Sequence, residues 1–126
     1  MIRHGVPPFL ECSSKGDRRF SAFYARINKL GGKTIEEIYQ AAKVFEGGIT
    51  NLSWQEAKGR KPLNIFETRI LYSWLWDQYI EENPDLLPVI KSASGLQDKF
   101  GKNGHACQAT ELWRIRKLEL DKENRI

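Results

Sequence analysis

The sequence predicts a small α+β domain, predominantly helical and compact, with one short β-hairpin near its N-terminus. Three observations predict it. Thr34 with Glu37 forms a capping-box pattern ahead of a periodic stretch reaching Phe45. A long helical pattern of apolar residues runs from Asn64 to near Glu82. An aromatic-rich, imperfectly alternating run from Arg19 to Leu30 is followed by Gly31 and Gly32 as a turn, which predicts a hairpin leading directly into Thr34. At 126 residues the chain has the length of a single domain. A chain of that size buries roughly two-thirds of its unfolded surface, so a core forms without covalent staples.

Taken in order, residues 1 to 17 hold Gly5, Pro7, Pro8 and Gly16 around Phe9 and Leu10, which predicts an extended or irregular lead-in with room for one short strand. In the helix from Thr34, residues Ile35, Ile38, Ala42 and Phe45 form an apolar stripe expected to pack. Glu36, Gln40 and Lys43 recur on a different face and present a carboxylate, an amide and an ammonium. Gly47 and Gly48 are expected to end this helix. Ser53 with Glu56 is a second capping box, opening a short helix to about Lys58 that Gly59 and Pro62 close. Asn64 then starts the principal core helix, with Ile65, Phe66, Ile70, Leu71, Trp74, Leu75 and Tyr79 as its pattern. Trp74 and Trp76 are two apart and cannot share one core face, so one of them is expected to line a cleft or a neighbouring element. Asn83-Pro84 restarts a helix with Leu86, Leu87 and Ile90 buried. Ser92 to Gly104 reads as a polar, glycine-bearing loop. The last helix, about Gln108 to Glu123, carries Leu112, Ile115 and Leu118 or Glu119 on one side.

The formal net charge of +4 is unevenly placed: residues 1 to 33 hold Arg3, Lys15, Arg18, Arg19, Arg26, Lys29 and Lys33 against Glu11 and Asp17. A basic end suits a phosphate-bearing partner. No helix-turn-helix, zinc-finger or RNP pattern accompanies it. Cys12 and Cys107 lack CxxC or Cys/His ligand spacing, which points to free thiols in a reducing compartment rather than to a disulfide framework or a zinc site. The segment MIRHGVPPFLECSS has no long apolar run, and no stretch approaches the ~18 apolar residues of a membrane span. The expectation is a soluble cytoplasmic protein without membrane attachment, bound metal or organic cofactor.

One ordered set of motifs goes further. FSAFY (Phe20 to Tyr24), a glycine turn with Gly32 and Lys33, and IEEIYQAAK (Ile35 to Lys43) together resemble the NADAR family (NAD- and ADP-ribose-associated, YbiA-like), whose members show an F-S-N-F-Y run, a G-K hairpin and a V-E-H-x-x-Q-A-x-K-F helix. Ala57-Lys58-Gly59-Arg60 is similar to a shortened form of the family's A-K-x-x-G-R segment. Asp98 ahead of Phe100-Gly101 is similar to its Asp before W-G, and Leu112 to Lys117 resembles its terminal helix. The sequence departs from the pattern at Ala22 (Asn in the family), Glu37 (His) and Phe100 (Trp).

The resemblance implies an N-glycosidase acting on ADP-ribosylated guanine in DNA or RNA, or on a ribosylamino-pyrimidine. Alignment on Gln40-Ala41 puts Glu36 at the family's catalytic glutamate. Phe20, Ser21, Phe23 and Tyr24 then belong to the ribose and nucleotide pocket, Asp98 is the candidate second polar group, and Lys43 is the candidate for orienting Glu36 or holding a phosphate. Gln40, Arg19, Arg60, Phe100 and Gly101 join the substrate-binding set, with Arg18 and Arg60 beside Arg19 as diphosphate partners. Two other classes use the same features: a catalytically silent module that sequesters ADP-ribose or a related nucleotide, and a basic nucleic-acid-binding domain.

Overall fold

The computed structural model describes residues 2–57, 62–99 and 107–124. Among them are five helices, α1 (Ile35–Ala41), α2 (Trp54–Ala57), α3 (Ile65–Glu82), α4 (Leu87–Ser92) and α5 (Gln108–Glu123). Five short strands accompany them: β1 (Ile2–Gly5), β2 (Leu10–Glu11), β3 (Arg26–Ile27), β4 (Lys33–Thr34) and β5 (Gly95–Asp98). The architecture is the predominantly helical α+β one expected.

Two readings of the sequence are corrected by the larger sheet, whose order is β1-β5-β2. The lead-in carries two strands, and the polar loop after Ser92 contains the central one. β5 runs antiparallel to β1, with Ile2 opposite Asp98 and Gly5 opposite Gly95, and parallel to β2, with Leu10 opposite Leu96. Only Leu96 among its four residues is a large apolar side chain. Periodicity therefore had nothing to register, and the strand exists because both edges find partners distant in sequence. At Gly95 a Cβ would stand 2.5 Å from the His4 carbonyl oxygen and 2.4 Å from the Phe9 ring, so the close approach of β1 to β5 requires glycine.

The predicted hairpin forms with arms of only two residues, Arg26 opposite Thr34 and Ile27 opposite Lys33. The rest of Arg19 to Leu30 turns instead. Asp17 caps a 3-10 turn over Arg18–Phe20. The Ser21 carbonyl accepts from the Tyr24 and Ala25 N–H groups, which folds FSAFY into a loop. Gly31 and Gly32 take φ of 84° and 70°, left-handed values that cost glycine little.

α1 begins as its sequence dictates. Thr34 Oγ1 accepts from Glu37 N–H at 3.2 Å, and the Glu37 carboxylate returns to Thr34. It ends earlier than the glycines suggested. The Ala41 carbonyl, which a continuing helix would offer to Phe45, accepts from Asn51, and Phe45 N–H goes to the Ile49 carbonyl. Gly47 and Gly48 lie beyond, in a separate turn. The expected facing holds only in part: Ile35 and Phe45 are buried and Ile38 packs against the core, but Ala42 is exposed, and the polar row of Glu36, Gln40 and Lys43 is buried together with Tyr39 rather than turned to water.

α3 is the principal core helix, opened by Asn64, whose side chain accepts from Glu67 N–H at 3.0 Å. Its buried side is Thr68, Tyr72, Leu75, Trp76 and Tyr79, whereas Phe66, Ile70 and Trp74 face outward. The two tryptophans divide as their spacing requires: Trp76 is in the core and Trp74 is 44% exposed. Edge-to-face contacts link Tyr39 to Tyr72 (4.9 Å between centroids), Tyr72 to Trp76 (6.5 Å) and Trp76 to Tyr79 (5.6 Å). Such pairs add about 0.5–1.5 kcal/mol each beyond area burial; the Tyr39–Tyr72 pair joins α1 to α3, and the other two run along α3 itself. A 3-10 turn at Pro84–Leu86 precedes α4, and α5 packs Leu112 and Ile115 inward with Leu118 half exposed. No helix among the described residues is long and apolar enough to cross a membrane.

Candidate functional site

The loop carrying FSAFY is fastened to the first turn of α1. An α-helix leaves its first N–H groups without internal partners. Here Ile35 N–H donates to the Ala25 carbonyl at 2.9 Å and Glu36 N–H to the Ala22 carbonyl at 3.0 Å. The loop therefore supplies the acceptors that the first turn of α1 lacks. Ala22 also reaches the far side of the fold: its N–H donates to Gln108 Oε1 at 2.8 Å, in a buried bond from the loop to the first residue of α5.

Around this junction the inward face of α1 carries its polar row. Glu36 is 9% exposed and Gln40 4%. Gln40 Nε2 donates to Glu36 Oε1 at 2.7 Å, which fixes the carboxylate's orientation and also fixes which end of the amide is nitrogen. Gln40 Oε1 is buried and has no hydrogen-bond partner among the described residues. Lys43 follows on the same side, with Nζ 5.1 Å from the centre of the Tyr39 ring. Burial pushes the Lys43 ammonium below the usual lysine range, and the Glu36 carboxylate pulls it back up.

Asp98 sits at the end of β5, buried, with Cys107 Sγ 3.8 Å from Oδ2. It and Glu36 act on one group that sequence reasoning passed over. The Tyr72 hydroxyl is held well above its usual range, first by complete burial, with both carboxylates adding to the effect. Tyr72 was hidden because α3 is aromatic on several faces, and the apolar pattern traced a different stripe. Gln108 was missed as an ordinary helix-start residue. Its signal was positional: an amide directly after Cys107 at the predicted start of the last helix.

The remaining candidates separate by depth. Phe20 and Ser21 are wholly buried, Phe20 within the core. Phe20 therefore offers no ring face to solvent, and Phe23 and Tyr24 are the rings nearer the surface. The Arg18 guanidinium lies 4.6 Å over the Tyr24 ring. Arg19 is already engaged by Asp17, through Nε at 3.1 and 3.2 Å and Nη2 at 2.6 Å. An exposed pair of this kind is worth at most about 1 kcal/mol, so a phosphate can displace it. Arg60, Phe100 and Gly101 lie outside the described residues. Among the described residues no group of three His, Cys, Asp or Glu side chains is placed to hold a metal ion.

A groove of about 770 Å³ opens on the opposite face of α1, between Leu30, Ile38, Ala41, Leu52 and Trp74. It is separate from the Glu36 row, because residues 38 and 41 point away from residues 36 and 40 on a helix. Neither the protein-family models nor the curated proteins compared with this chain match it.

Proposed function

We propose that this protein hydrolyses an N-glycosidic bond in an ADP-ribose or nucleoside-type substrate, with Glu36 as the reacting carboxylate. The observation that carries the reading is the inward Glu36–Gln40–Lys43 row. A solvated charged face would point these three side chains to water, whereas all three are buried and Glu36 is held by a 2.7 Å hydrogen bond. The motif resemblance to the NADAR family supports the substrate class. Gln108 adds to it by bringing a carboxamide against Ala22, where that family carries an asparagine amide.

The chemistry follows from the charge that develops. Breaking the bond between an anomeric carbon and a base nitrogen leaves positive oxocarbenium character on the sugar, and a fixed carboxylate stabilises that charge or takes a proton from the attacking water. At about 4 Å and an effective dielectric of 20, one such charge pair is worth about 4 kcal/mol. Gln40 keeps the carboxylate aimed, and Lys43 orients it or meets a phosphate. Phe23 and Tyr24 supply rings for base stacking, worth ~1–3 kcal/mol per base.

The test is incubation of wild type and Glu36→Gln with an ADP-ribosylated guanine oligonucleotide, NAD and a ribosylamino-pyrimidine phosphate, with products followed by mass spectrometry beside a binding assay. Wild type is expected to release free base or ADP-ribose, and Glu36→Gln to be slower by ~10²-fold or more. Full activity in Glu36→Gln removes Glu36 from the reaction. Binding without turnover in either form assigns the site to nucleotide sequestration instead.

A further inference from the structure

The structure fixes which end of the Gln40 amide is nitrogen, and the oxygen end has no partner among the described residues. Its nitrogen donates to Glu36 Oε1 at 2.7 Å. Its oxygen, in a residue 4% exposed, has no partner among the described residues. A buried acceptor without a donor is costly, and native proteins retain few of them. An amide oxygen accepts and never donates, so the missing group is an O–H or N–H. A diphosphate, which presents only acceptors, does not fit there.

Position narrows the choice. The two ends of an amide are about 2.2 Å apart, which puts Gln40 Oε1 within about 5 Å of the Glu36 oxygen that its nitrogen holds. A carboxylate in reacting position stands about 3–3.5 Å from the anomeric carbon. The nearest donor to that carbon on a ribosyl group is the hydroxyl on the adjacent carbon, and it falls inside the same radius.

We infer that Gln40 Oε1 accepts from the 2′-hydroxyl of the reacting sugar, so that the site selects a ribosyl substrate over its 2′-deoxyribosyl counterpart; this rests on the glycosidase reading above. Gln40 thereby has two separable roles. Nε2 positions the carboxylate, and Oε1 reads the sugar.

The experiment compares kcat/KM for ADP-ribosyl-guanosine and for its synthetic analogue lacking the 2′-hydroxyl on the reacting ribose, in wild type, Gln40→Met and Gln40→Glu. Removing that hydroxyl also makes the sugar cation intrinsically easier to form, so the readout is the change in the ribose/deoxyribose ratio between proteins, not the ratio itself. Gln40→Met, without an acceptor, is expected to lower the ratio by ~10- to 100-fold. Gln40→Glu keeps an acceptor and loses the donor, and is expected to slow both substrates while retaining the ratio. An unchanged ratio in Gln40→Met, with both substrates slowed alike, overturns the inference and leaves Gln40 as a positioning residue with a buried water on Oε1. If Gln40→Met does not fold, equal affinity of wild type for ADP-ribose and its 2″-deoxy analogue overturns it, and weaker binding of the analogue supports it. Turnover of neither substrate by wild type overturns the glycosidase reading and this inference together, an outcome distinct from equal turnover of both.

Discussion

Replacing Thr34 by alanine tests how α1 is held, because the helix has seven residues and isolated helices shorter than ~12–15 residues do not persist in water. Thr34 Oγ1 accepts from Glu37 N–H at 3.2 Å and donates to Glu37 Oε1 at 3.0 Å, while Thr34 N–H reaches the same carboxylate oxygen at 3.4 Å. Thr34→Ala removes the first two bonds and leaves a helix N–H without its acceptor, a loss of about 1–2 kcal/mol. For a domain of this size that lowers the thermal midpoint by about 4–8 °C. Glu37→Ala removes the second and third bonds, for about 0.5–1 kcal/mol. The Oγ1–Oε1 bond belongs to both changes, so the double variant should fall short of the sum by about 0.5 kcal/mol. Urea unfolding followed by tryptophan fluorescence measures all three, and Thr34→Ser, which keeps the hydroxyl, should lose less than about 0.5 kcal/mol. A Thr34→Ala loss below about 0.3 kcal/mol, or strict additivity of the two single changes, would refute the reasoning.

Three further outcomes are expected. Gly95→Ala places a methyl group 2.5 Å from the His4 carbonyl oxygen and 2.4 Å from the Phe9 ring, and should cost about 1–3 kcal/mol by forcing β1 from β5; Gly31→Asn, at a site with nothing within 4 Å, should change urea stability by less than about 1 kcal/mol. At Glu11, burial works against the charge, yet hydrogen bonds from the Ser13, Lys99 and Gln97 groups hold the carboxyl below its usual range. Its contribution is therefore full above the unfolded carboxyl value and is lost as pH falls through the lower folded one. Glu11→Gln should accordingly destabilise by about 1–3 kcal/mol at pH 7 and progressively less below about pH 4, as read from urea midpoints across that range. Burial raises the pKa of Cys12 and, to a lesser extent, of Cys107, so an aromatic disulfide reagent at pH 8 should leave both thiols unmodified in the native protein and titrate two after denaturation.

Local chemistry was legible where it is decided locally. Thr34, Ser53 and Asn64 announced three helix starts, and α5 runs over Gln108–Glu123 as its pattern indicated. The identity of the Glu36, Gln40 and Lys43 row was also readable, but not its direction. Polar residues on a helix normally face water, and the inward turn of this row follows from Tyr39 packing on Tyr72 and from Ala22 receiving the Glu36 N–H. Neither contact leaves a periodic mark. The same holds for β5 and for the end of α1, where Asn51 takes the Ala41 carbonyl from ten residues away.

The sheet imposes an order on synthesis. Glu11 and its partner Gln97 lie 86 residues apart, so at about 5–20 residues per second the ribosome takes roughly 4–17 s to deliver the strand that β1 and β2 require. Through that interval both strand edges lack their ladder partners, and the Cys12 thiol lacks the neighbour whose Gln97 carbonyl accepts from its backbone N–H. These two strands are thus among the last elements to be fixed, although they are made about 86 residues before their partner, and Pro7 and Pro8 between them limit pairing with other chains while they wait.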